Sequence, residues 1–118
     1  MNKKFVEKNI ERAKAAIEEL PGLLDEKKRI DKTLRSKMAA FGAAVYMSGL
    51  LPAIAYYSKN EKTIIKLLAK MYLGDGEADL FNVVSKENDA REKILGYAVC
   101  LKLAMNLFEL KESNDAKD

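Results

Sequence analysis

Apolar residues recur along this chain at intervals of three and four, the spacing that places them on one side of an α-helix. Ile10, Ala13, Ile17, Leu20 and Leu24 make the first such stripe and predict a helix from about Asn2 to Leu20. Pro21-Gly22 ends it, since proline cannot extend the hydrogen-bond ladder and glycine accepts dihedrals that other residues avoid. Ile30, Leu34, Met38, Phe41 and Val45 make the second stripe and predict a helix that starts after Asp25 and runs to Met47. Its second half is rich in small side chains (Ala39, Ala40, Gly42, Ala43 and Ala44), which let other helices approach closely and predict packing on more than one side. Ser48-Gly49 closes it.

Leu50 to Lys59 reads as a short helix with Pro52 in its first turn, where a missing N–H costs nothing. Asn60 is the expected cap of a helix from Glu61 to about Leu73, with the stripe Ile64, Ile65, Leu68 and Met71 or Tyr72. Gly74-Asp75-Gly76 is a loop, and Ala78 to Val84 a short helical turn. The last helix is expected from Asn88 or Asp89, with Asp89 and Glu92 in a capping pattern, to about Leu110. Between Ile94 and Leu110 its only polar positions are Lys102, Asn106 and Glu109, so it is either a central helix or one that also meets a partner. A polar tail follows.

These elements predict an all-α fold, a compact bundle of five or six helices. The 118 residues suit one domain, expected over 1–112, with 113–118 as a flexible tail. A charged fraction of 33% against 48% hydrophobic residues belongs to a folded chain, and two prolines with six glycines are too few turn signals for many short strands.

Candidate chemistry is narrowed by what is missing. With no histidine, no Ser-His or Cys-His nucleophile pair, Glu-x-x-His di-iron site or His-bearing zinc site can form. Cys100 is the one cysteine and sits in an apolar run, which predicts a buried, reduced thiol. The turn from Gly74 to Asp79 lacks the glycine and the glutamate of a calcium-binding loop, Leu80 and Lys86 standing in those places. Neither glycine-rich phosphate loop is present. The expectation is a protein that is not an enzyme, with no catalytic residue, metal or cofactor. Charges resume after Phe5-Val6 before a signal-peptide core forms, and no apolar run reaches the roughly 20 residues of a membrane span, so a cytoplasmic location is expected.

The net charge of +3 says little until its distribution is read. Lys27, Lys28, Arg29, Lys32, Arg35 and Lys37 crowd one segment, against Glu26 and Asp31. On a helix starting near Asp25, three of these cations fall in the first turn, where the helix dipole disfavours them by a few tenths to about 1 kcal/mol each. Lys28, Lys32 and Arg35 would share one face. Such a face suits a phosphate backbone, whose charge lysine and arginine neutralise with release of counterions. Without interleaved aromatics it would not stack on bases. The bland alternative is a solvated face. Lys59, Lys62, Lys66 and Lys70 make a weaker second set. A helix-turn-helix reading at Met47-Ser48-Gly49-Leu50 fails, because the helix after the turn is too apolar to read base edges.

Ser48-Gly49-Leu50-Leu51-Pro52-Ala53-Ile54-Ala55-Tyr56-Tyr57-Ser58-Lys59 resembles the middle of the small helical subunit of the type III-B CRISPR RNA-guided effector, the Cmr complex. The resemblance extends over roughly Ile30 to Leu110, through Leu67-Leu68-Ala69-Lys70-Met71-Tyr72 and Ala98-Val99-Cys100-Leu101-Lys102-Leu103-Ala104. It implies a non-catalytic structural subunit that stacks in a few copies beside other subunits and contacts the guide and target RNA backbone, in antiviral defence. The small subunit of the related type III-A effector is a close competitor. No invariant motif of the family says which cations touch RNA. A reading from another class is a protein-only helical adaptor or homodimer with a merely solvated basic face.

Overall fold

The computed structural model describes residues 3–112; the tail expected at 113–118 lies outside them. The first helix, α1 (Lys3–Glu19), follows its apolar stripe and buries Ala13, Ala16 and Ile17. Asn9 is buried on the same helix and is satisfied within it. Its Nδ2 donates to the carbonyl of Phe5 at 2.9 Å, and its Oδ1 accepts from Arg12 Nη1 at 2.8 Å. The second nitrogen of Arg12 donates to the carbonyl of Met71 at 2.7 Å, which ties α1 to the end of α4 (Lys62–Leu73).

The second helix does not begin after Asp25. Residues 29–31 form a strand, β1 (Arg29–Asp31), paired in parallel with β2 (Glu109–Lys111), and α2 starts only at Lys32 and runs to Ser48. The Asp25 carboxylate explains the delay. Its Oδ1 accepts from the backbone N–H of both Lys27 and Arg29, and the carbonyl of Arg29 accepts from Asp25 N, so the segment closes into a turn. Lys28, in that turn, has a φ of 58°. Asp31 then caps α2, accepting from Thr33 N at 2.9 Å and supplying negative charge at the helix start.

α3 (Leu50–Asn60) and α4 follow as expected, but Asn60 ends α3 and does not cap α4. Its side chain donates back to the carbonyl of Tyr56 at 2.9 Å. Glu61 holds the cap position of α4 without a side-chain hydrogen bond. The loop after α4 turns on Gly74, whose φ is 78°, and on Asp75, which accepts from Glu77 N at 2.9 Å. α5 (Leu80–Val84) is capped by Asp79. α6 (Ala90–Ala104) starts next to Asp89, whose side chain makes no capping bond. It stops six residues before the expected Leu110: Met105–Leu107 form a 3-10 turn and the chain then extends into β2.

α6 is the central helix. α1, α2 and α4 pack around it, and Ile94, Cys100, Leu101 and Ala104 are inaccessible to solvent. Ile17, Ile30, Phe41, Ile54, Ile64 and Leu80 close the same core from the other elements. The radius of gyration, 13.8 Å, is that of a chain folded about one core, for which roughly 13–14 Å is expected at this length. The small residues of α2 are not packed on several sides. Ala39, Ala40 and Ala43 are exposed, because only the Leu34, Met38, Phe41 and Val45 side of the helix meets the core. No helix among the described residues is long and apolar enough to cross a membrane.

Candidate nucleic-acid interface

The six cations singled out in the sequence do not share a helix face. Lys27, Lys28 and Arg29 precede α2, and only Lys32, Arg35 and Lys37 lie on it. Four of the six already hold acceptors of their own chain. Arg29 Nε pairs with Asp25 Oδ2 at 2.9 Å, Lys32 with Glu112 at 3.1 Å and Lys37 with Glu61 at 3.0 Å, while Arg35 donates to Asn106 Oδ1. Lys27 and Lys28 remain exposed, without a side-chain ion pair among the described residues. The dipole argument shrinks from three cations to two, since the first turn of α2 carries Lys32 and Arg35, and the aspartate cap Asp31 offsets them.

Asp25 is the electrostatic centre of this corner. It receives two backbone N–H groups, the Arg29 guanidinium and Lys111 Nζ at 3.5 Å. The Arg29 backbone N–H is the largest influence, and together with the Arg29 and Lys27 bonds it holds the carboxyl pKa down at about 2 against an ordinary 3.8, although partial burial opposes it.

The structure gathers a different set of cations. A groove of about 510 Å³ runs between the start of α2 and the junction of α3 with α4, and Lys37, Lys59, Lys62 and Lys111 line it. Lys37 is paired with Glu61, which lines the groove as well, and Lys111 with Asp25 outside it, so the excess positive charge belongs to Lys59 and Lys62. The other two lysines of α4 are neutralised: Lys66 pairs with Glu77 at 3.5 Å and Lys70 with Glu19 at 3.0 Å. The first turns of α2 and α4 both border the groove, through Thr33 and Thr63. The uncapped start of α4 adds partial positive charge there. Such a groove has the charge to favour an anion and, among its lining residues, no aromatic ring on which a base would stack. Lys59 and Lys62 stood in the sequence as part of the weaker set; what singled them out is the acidic partners taken by Lys66 and Lys70.

Cys100 is fully buried on α6, and that burial pushes its thiol pKa up, the opposite of an activated nucleophile. Among the described residues no cluster of three or more Cys, Asp or Glu side chains is placed to hold a metal ion. No family model, curated protein or solved structure matches the chain.

Proposed function

We propose that this chain is a non-catalytic structural subunit of a type III-B CRISPR (Cmr) effector, contacting the phosphate backbone of guide and target RNA beside other subunits and further copies of itself. The single observation that carries the RNA contact is the pair Lys59 and Lys62, without an ion pair among the described residues, at a groove where two helix starts converge. Lys27 and Lys28 are further exposed cations outside the groove lining, while Arg29, Lys32, Arg35 and Lys37 contribute only if they leave their present partners. The resemblance of Ser48–Lys59 to the Cmr small subunit supplies the rest of the reading. A subunit of this kind follows backbone geometry and leaves sequence to base pairing.

Salt titration of RNA binding by the assembled complex tests it. Each phosphate contact contributes about 0.7–0.9 to the slope of log affinity against log salt, so Lys59→Glu with Lys62→Glu should flatten that slope by roughly 1.5 and weaken binding. Reversing Lys28, Lys32 and Arg35 should do less, two of the three being occupied. An unchanged affinity and slope in both variants would remove the RNA contact from this chain.

A further inference from the structure

The uncovered side of α2 faces a groove shared with α6. The groove measures about 240 Å³; Ala39, Gly42 and Tyr46 line it from α2, and Leu95, Val99 and Lys102 from α6. It is open at its middle, where a β-carbon placed on Gly42 would meet no atom within 4 Å. Tyr46, which lines it, is 71% exposed, and Met47, next to it in sequence, is 88% exposed. From Met38 to Ser48 helix α2 carries no charged residue at all.

Two charges mark the ends of the groove, both on α6. Glu92 lines one end and Lys102 the other, ten residues apart and hence separated by about 15 Å along the helix. They cannot reach each other. Lys102 has no ion pair or hydrogen bond among the described residues. Glu92 meets its neighbour Arg91 at 3.1 Å, and the Arg91 guanidinium lies 4.9 Å over the Tyr46 ring. At 82% exposure the Glu92 carboxylate stays open to a second cation. A two-fold rotation about an axis through the middle of the groove exchanges its ends. It sets Glu92 of each copy against Lys102 of the other, and every contact is made twice. The small residues of α2 lie near the axis, where two helices must come closest, and the exposed Tyr46 and Met47 lie away from it, where there is room for them.

We propose that the α2/α6 groove is the surface by which two copies of this chain pair about a two-fold axis. The occupant is a second copy because the groove carries its own complementary charges at opposite ends. Two helices of this length side by side present a strip of on the order of 500 Å², below the roughly 800 Å² per partner of a standard stable interface, so the pair is reversible. This contact is independent of the RNA reading. It also differs in symmetry from head-to-tail stacking, which would leave an open end and keep growing.

Sedimentation equilibrium of the full chain, up to about 1 mM, should show monomer and dimer and nothing larger. Glu92→Lys and Lys102→Glu, each facing like charges twice, should each weaken pairing by about tenfold or more. The double exchange should restore it to within a few-fold. Gly42→Leu fills the groove and should abolish pairing, with helical circular dichroism and thermal midpoint retained. A monomer at every concentration, open-ended growth, or a double exchange that fails to restore the dimer would each overturn the proposal. The salt slope for RNA, which depends on Lys59 and Lys62, is unaffected by any of these outcomes.

Discussion

Gly96 on α6 and the ring of Phe5 on α1 leave no space between them for a methyl group: a β-carbon at Gly96 would lie 2.7 Å from Phe5 Cε1. The glycine sits in mid-helix, where alanine is ordinarily better by about 1 kcal/mol. Here it is kept because α1 approaches the central helix so closely. Gly96→Ala must displace Phe5, which also packs against Tyr97 with ring centroids 5.4 Å apart. Overpacking of this kind costs about 1–3 kcal/mol and outweighs the propensity gain. Denaturant unfolding should show Gly96→Ala less stable by about 1 kcal/mol; equal or greater stability would mean that Phe5 moves aside freely.

Gly42 should respond with the opposite sign. It is also in mid-helix, but a β-carbon there meets nothing within 4 Å. Gly42→Ala should therefore raise stability by about 0.5–1 kcal/mol. The comparison of the two alanine variants in one assay cancels errors common to both.

The Asp25 clasp gives the fold an acid-sensitive corner. Because the folded carboxyl titrates at about 2 and the free one at 3.8, folding favours the ionised form. Its contribution is complete above the free value and is lost as pH falls through the folded one. Thermal midpoints should hold level above about pH 5 and decline toward pH 2. Asp25→Asn, which keeps an acceptor oxygen but carries no charge to pair with Arg29 or Lys111, should start lower and decline less over that interval. Parallel declines in the two proteins would place the acid sensitivity elsewhere.

Cys100 should be silent toward thiol reagents in the folded protein. It has no accessible surface, and burial raises its pKa, so both access and thiolate fraction are low. Alkylation with a neutral maleimide should proceed at the rate of unfolding and become fast in denaturant. Rapid native labelling would mean that α6 opens locally.

α1, α2 and α4 were legible because each buries a stripe at the helical period, α3 from its proline in the first turn and α6 from its long apolar run, and these signals are local. What was not legible depends on residues far apart in sequence. Arg29–Asp31 and Phe108–Lys111 carry nothing nearby that forbids helix; they extend because they pair with each other and because Asp25 draws the preceding backbone into a turn. The small residues of α2 signalled close approach, but among the described residues nothing covers Ala39, Ala40 and Ala43. The cationic character of the corner was visible in composition. Which lysines keep their charge to themselves was not, since Glu61, Glu77, Glu19 and Glu112 reach Lys37, Lys66, Lys70 and Lys32 only in the folded chain.

The pairing of β1 with β2 sets an order on synthesis. Arg29 is matched to Glu109 and Asp31 to Lys111, so the loop after α1 acquires its strand partner only when residues 109–111 have left the ribosome. Until then Ile30, fully enclosed in the finished protein, lacks the Leu110 strand beside it. α1 waits as well, because the helix it packs on most extensively is α6. α1 and β1 are thus made well before the elements that secure them, and their exposed interval during translation is when helper proteins would meet them.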